Sequence, residues 1–141
     1  MIVRHLSEII NTARDVAAEN WSSRRLLLAD DGMGFSMHET IIHAGTETPI
    51  WYKNHLEAVY CIDGEGEIEL VPSGERHRIY PGMLYALNEH DQHLLRASTR
   101  LRLVCVFNPP ITGREVHDKD GAYPAASSQA NATEMRGDQN D

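Results

Sequence analysis

Short runs of alternating apolar and polar residues, cut by turn-forming residues, repeat along most of the chain. In LRLVCVF, Leu101, Leu103, Cys105 and Phe107 face one way and Arg102 and Val104 the other, because strand side chains alternate between faces. The same period puts His38, Thr40 and Ile42 on one face, and Glu57, Val59 and Cys61 on one face. Strands are predicted over 24–28, 35–43, 57–62, 67–71, 76–79, 84–87, 93–97 and 101–107. The runs 57–62 and 67–71 flank Asp63-Gly64-Glu65-Gly66, and Asp-Gly supplies the positive φ of a tight turn, so this pair is predicted to be a hairpin. A short helix is expected at Ser7-Glu8-Ile9-Ile10, with Ser7 as its cap.

Many short strands with turn signals between them predict an all-β sandwich or barrel with one or two short helices. Polar residues mixed into the inward faces suit a barrel that binds a ligand. From Ala125 onward the sequence AASSQANATEMRGDQND has almost no large apolar residue. A single domain over 1–124 and a disordered polar tail over 125–141 are therefore expected.

Composition narrows the function. The 141 residues suffice for one core, and 41% hydrophobic residues can fill it. With 21 Asp and Glu against 13 Lys and Arg, the net charge of −8 disfavours nucleic acid, whose binding rests on neutralised phosphates. The sequence has no apolar run of membrane-spanning length and no secretory signal, and its two cysteines, Cys61 and Cys105, are too few for a disulfide scaffold. A cytoplasmic location without membrane contact is expected.

The candidate chemistry lies between Gly45 and His93. Gly45, Trp51, Lys53, Glu57 and Gly64 fall on the frame G-x5-H-x-H-x3-E-x6-G, the first motif of the cupin barrels, with Trp51 and Lys53 in place of two histidine ligands. Pro81-Gly82-Met83-Leu84-Tyr85 resembles the second cupin motif, with Tyr85 at its histidine position. Two readings stand on these residues. One is a jelly-roll cupin that has lost its metal. The other is a replacement triad of Glu57, Tyr85 and His93, a carboxylate–phenolate–imidazole set suited to iron(II) and tolerant of zinc, cobalt or manganese. Three protein ligands leave coordination positions open, as catalysis needs. His90 and His93 fit a surface loop equally well.

Three long blocks, AENWSSRRLLLADDGMGFSMHET, NHLEAVYCIDGEGEIE and RLVCVFNPPITGREVHDKDGAYP, resemble the ectoine synthase family, and the similarity runs from Met1 to Pro124. The resemblance implies a homodimeric cupin that binds Fe(2+), replaceable by zinc or cobalt, at Glu57, Tyr85 and His93. It also implies cyclocondensation of N-γ-acetyl-L-2,4-diaminobutyrate to ectoine with loss of water, in compatible-solute biosynthesis under osmotic stress.

On residue type alone Thr40 and Cys105 read as small core fillers, Arg25 beside Arg24 as a surface pair, Trp21 as core, and Tyr52 and His55 as polar loop. With the resemblance, Arg25 is expected to clamp the substrate carboxylate, with Trp21 and Thr40 shaping that end. Trp21 and Phe107 would exclude water, while His38 and Cys105 line the pocket. Tyr52 is expected to donate a proton near the metal, supported by His55. Glu115 and His117, alternating onto one face, would bind the ammonium end or shuttle protons. The rivals are an iron-dependent cupin dioxygenase, separable by oxygen consumption, and a non-enzymatic cupin that binds a small ligand.

Overall fold

The computed structural model describes residues 1–113, 121–123 and 125. Glu115, His117 and the proposed tail beyond Ala125 lie outside the described residues. Ten strands are described: β1 Asp15–Ala17, β2 Trp21–Leu27, β3 Ser36–Ile42, β4 Glu47–Ile50, β5 Leu56–Asp63, β6 Gly66–Leu70, β7 Arg76–Ile79, β8 Leu84–Leu87, β9 His93–Ala97 and β10 Leu101–Asn108. They form two antiparallel sheets, one ordered β1-β2-β3-β10-β5-β8 and the other β4-β9-β6-β7. Val59, Leu101, Leu103 and Phe107 of the first sheet and Ile68, Ile79 and Leu95 of the second share one buried cluster. The core therefore lies between the sheets, as the alternating pattern requires. No helix among the described residues is long and apolar enough to cross a membrane.

The predicted faces hold. Leu101, Leu103, Cys105 and Phe107 are buried, whereas Arg102 and Val104 are only half-buried. On β5, Glu57, Val59 and Cys61 are buried between exposed Leu56, Tyr60 and Ile62. On β2 the alternation buries Trp21, Ser23 and Arg25, so Arg25 is not a surface residue. Its neighbour Arg24 points the other way and pairs with Glu39 at 3.1 Å.

Three expectations are corrected. The segments 57–62 and 67–71 do not form a hairpin: β5 pairs with β10 and β8, and β6 pairs with β7 and β9. Asp63-Gly64-Glu65 is instead the crossing from one sheet to the other. Gly64 has φ +95°, and a Cβ there would stand 2.2 Å from the Arg100 carbonyl oxygen, so the crossing is pressed against the start of β10. Ser7 is not a helix cap. The N-terminal helix is one 3-10 turn, Leu6–Glu8, capped by His5, whose Nδ1 accepts the Ser7 N–H at 3.1 Å while Glu8 accepts the His5 N–H at 3.1 Å. Two short strands, β1 and β4, went unpredicted, because three or four residues carry too little alternation to stand out. A second 3-10 turn, Ala29–Asp31, completes the two short helices expected.

Candidate active site

Register builds the site. Arg25, His38, Cys105, Val59 and Tyr85 are successive cross-strand partners on β2, β3, β10, β5 and β8. Antiparallel partners keep side chains on one face, so this row runs across the inner face of the larger sheet. Glu57 stands two residues before Val59 on that face, diagonal to Tyr85. His93 arrives from the smaller sheet, where β9 turns His93, Leu95 and Ala97 inward.

A small cavity opens between the sheets. Eight of the expected residues line it: Trp21, His38, Thr40 and Tyr52 on one side of the sequence, Glu57, Tyr85, Cys105 and Phe107 on the other. Arg25, His55 and His93 do not line the cavity itself but touch groups that do or that close it. The Arg25 guanidinium carbon lies 5.9 Å from the Tyr123 ring centroid. The His55 ring meets Phe107 edge-on at 6.0 Å, and His93 meets Tyr85 at 6.5 Å.

Buried aromatic rings form much of the wall. Tyr52, Phe107 and Tyr123 are each at most 5% exposed. Burial pushes the Tyr52 phenol well above its ordinary value, helped by Tyr123 and by the Glu57 carboxylate, so near neutral pH Tyr52 carries its proton. Tyr123 is pushed up to about 12, again chiefly by burial. Glu57 is raised to about 8 by burial, partly offset because the Cys105 thiol donates to its carboxylate. Cys105 in turn accepts from Thr40, which joins β3, β10 and β5 through their side chains.

Whether a metal would fit can be judged from the donors. The Nδ1 of His93 lies 2.9 Å from the Asp91 carbonyl oxygen, which accepts its proton. Nε2 then carries a lone pair, and among the described residues this buried atom has no hydrogen-bond partner. Burial lowers the His93 pKa despite the opposing pull of Asp91, which keeps the ring neutral. A neutral imidazole oriented through one nitrogen and open at the other is the usual form of a histidine ligand. By residue type, the Glu57 carboxylate, the Tyr85 phenol and this imidazole would make a hard-to-borderline donor set that fits a divalent transition metal. His90 has another task. It sits in a left-handed turn at φ +55°, before β9 begins. Its Nδ1–H donates to the Tyr52 carbonyl at 2.9 Å and its own carbonyl accepts the Trp51 indole N–H at 3.0 Å. Trp51 and Lys53, at the displaced histidine positions, stack on each other with the Lys53 ammonium 4.6 Å from the indole.

Two hydroxyl-bearing pocket residues, Ser23 and Tyr123, were missed from the sequence. Ser23 shares the inward face with Trp21 and Arg25, so strict alternation could have found it. Tyr123 lies in an irregular segment with no periodic signal.

The sequence profile of the family described as Ectoine synthase matches residues 1–127. The chain is 70% identical over 126 residues to an L-ectoine synthase of Desulfatibacillum aliphaticivorans, covering 88% of this chain and 97% of that one. A solved ectoine synthase from P. lautus is 64% identical and superposes with a TM-score of 0.81, over 86% of this chain and 87% of that one. The cupin domain of an XRE-family transcriptional regulator from Enterobacter cloacae, 20% identical, superposes with a TM-score of 0.55 over 65% of this chain and 99% of that one, which shows the cupin fold alone.

Proposed function

The chain belongs to the ectoine synthase family, and on that premise we propose how its cavity carries out the water-eliminating ring closure that forms ectoine. The activity itself, that of a hydro-lyase, follows from family membership over nearly the whole folded part. In the proposed reaction the free amine of N-γ-acetyl-L-2,4-diaminobutyrate attacks the acetamide carbonyl carbon of the same molecule. A carbon–nitrogen bond forms, and the carbonyl oxygen leaves as water.

Glu57, Tyr85 and His93 would hold the metal, Fe(2+) or in its place zinc or cobalt. When bound, it supplies Lewis acidity for a carbonyl that is otherwise a poor electrophile. The observation that carries this assignment is the His93 ring, fixed at Nδ1 and open at a buried Nε2.

The remaining steps belong to the chain's own side chains. Arg25, fully buried at one end of the cross-strand row, supplies a fixed positive charge for the substrate carboxylate. With the carboxylate held there, the chain of the substrate extends along the row toward Glu57 and Tyr85, and the folded substrate brings amine and carbonyl together. Tyr52, protonated and enclosed, donates to the departing oxygen. Its ring neighbour Phe107 is braced by His55. Trp21 and Phe107 exclude bulk water, which would compete with the amine. Glu115 and His117 remain candidates for the ammonium end.

The exposed apolar residues Met1, Val3 and Met33 near the N-terminus support pairing of two copies as a homodimer. A cytoplasmic role in compatible-solute synthesis under osmotic stress accords with the acidic composition. Incubating iron-loaded protein with N-γ-acetyl-L-2,4-diaminobutyrate and identifying the product tests the whole reading. Ectoine is expected, and an oxygen-dependent product in its place would overturn it.

A further inference from the structure

Ser23 and His38, both at most 2% exposed, are bound to each other, with Ser23 Oγ 3.0 Å from His38 Nδ1. Arg25 Nε–H reaches the same Ser23 oxygen at 3.4 Å. A guanidinium can only donate, so the serine oxygen accepts from Arg25. The one hydroxyl proton then has a single acceptor among the described residues, the His38 Nδ1. If Nδ1 carried the ring proton instead, Ser23 would accept twice and its own proton would be buried with no partner. A buried donor left unmade is costly. The chain of bonds thus runs in one direction, Arg25 to Ser23 to His38.

We propose that Ser23 is a positioning residue that fixes His38 as the neutral tautomer protonated at Nε2, and that this N–H donates to an oxygen of the substrate carboxylate beside Arg25. The proposal rests on the ectoine-forming reaction given above. His38 lines the cavity, and among the described residues its buried Nε2 has no hydrogen-bond partner. A buried N–H donor with nothing to donate to points to a ligand acceptor. Register places His38 directly across from Arg25, and on the β10 side from Cys105, so its donor serves the carboxylate end and not the Glu57–Tyr85 end. Burial, then the charge of Arg25, then His55 hold the ring neutral. Neutrality suits the role, since a second cation beside Arg25 would repel it when the cavity is empty.

The proposal has a spectroscopic and a kinetic test. Zinc-loaded, uniformly 15N-labelled protein should show His38 in long-range 15N–1H spectra with a pyrrole-type Nε2 and a pyridine-type Nδ1 from pH 6 to 8. In Ser23→Ala that pattern should collapse to a mixture of tautomers, and Ser23→Thr, which keeps the hydroxyl, should restore it. With one substrate contact weakened in ground and transition state alike, Ser23→Ala should raise KM by about tenfold and leave kcat within about twofold. Ser23→Thr should bring KM back. A pyrrole-type Nδ1 in the wild-type protein, or an unchanged KM in a folded Ser23→Ala, would overturn the proposal. Should Ser23→Ala not fold, the wild-type tautomer and the Ser23→Thr kinetics still decide it. A wild-type enzyme that makes no ectoine would sink the underlying reaction, whereas a wrong tautomer in an active enzyme would sink this proposal alone.

Discussion

Tyr52 and Tyr123 stack side by side in the cavity wall, with ring centroids 5.1 Å apart and planes 20° from parallel. Phe107 meets both rings at an angle, 89° to Tyr52 and 69° to Tyr123, so the three aromatics enclose one corner of the site. Tyr123 reaches that corner because its segment is tied to the loop that carries Tyr52. The Gly121 carbonyl accepts the Trp51 N–H at 3.0 Å, and the Asn54 side-chain amide donates to the Tyr123 carbonyl at 2.9 Å. The Tyr52 phenol, the proposed proton donor, and the wall beside it are thereby placed by one another.

Gly121 is the tight point of this tie. Its φ is +75°, and a Cβ there would stand 2.2 Å from the Pro49 carbonyl oxygen and 2.7 Å from the Ile50 Cα. Gly121→Ala must therefore push Tyr123 away from Tyr52. Since a misplacement of about 1 Å can cost about 100-fold in rate, turnover should fall by about 10–100-fold. The strands of the core are untouched, so circular dichroism should stay that of the wild type. Steady-state kinetics alongside that spectrum decides the matter, and unchanged turnover would deny the segment a role.

Removing the Tyr52 hydroxyl separates chemistry from packing. Tyr52→Phe keeps both ring contacts and loses the hydroxyl, together with its hydrogen bond to Tyr123. Positioned proton donors contribute about 100–10,000-fold, so kcat should drop within that range while the melting temperature stays close to wild type. A kcat near that of the wild type would assign the proton to another group.

Much of this site was legible in the sequence, and the boundary has a physical cause. On β10 and β5 the period was plain enough to identify the inward residues. On composition alone Arg25 could equally be half of a surface pair with Arg24; alternation from Trp21 places it inside. The hairpin expected at Asp63-Gly64 failed because a turn signal reports local backbone conformation and not the sheet to which the chain goes next. Tyr123 was invisible because irregular segments have no period. Three positions apart, His90 and His93 would point to opposite faces of a strand, but His90 precedes the strand and turns away in a left-handed conformation.

Asp31 anchors the N-terminal segment and should make stability depend on acid. Its carboxylate accepts from Arg4 at 2.8 and 3.0 Å, from the Leu28 N–H at 2.9 Å, and more loosely from Arg14 at 3.4 Å. The Arg4 bond first and the Leu28 N–H second hold its pKa far below the ordinary 3.8. A group depressed on folding stabilises fully above its unfolded pKa and loses that effect as pH falls toward the folded value. Asp31→Asn should lower the melting temperature by about 3–6 °C at pH 7, and the gap from wild type should close progressively below about pH 4. Thermal melts across pH 2.5–7 test it, and a gap that is constant or grows in acid would contradict the sign.

The metal assignment turns on two histidines three positions apart. His93 has its Nδ1 bound to the Asp91 carbonyl and its Nε2 buried and open, next to Tyr85 and on the inward face of β9. His90 uses its Nδ1 to hold the Tyr52 loop and is exposed at the surface. Both substitutions disturb the same stretch of chain, so a difference between them cannot come from general damage to it. His93→Ala removes one of three proposed donors, and since even outer-shell partners are worth about 10–100-fold in metal affinity, the loss should exceed about 100-fold. The protein should then purify with little iron and be inactive, with the fold retained because an alanine at a β-strand position leaves the ladder intact. His90→Ala should keep its iron and lose some activity, because the Tyr52 carbonyl loses its donor and the proton-donating loop loosens. Elemental analysis of both variants, purified identically, is the measurement. If His90→Ala came out metal-free and His93→Ala loaded, the triad of Glu57, Tyr85 and His93 would have to be abandoned even with ectoine formation intact.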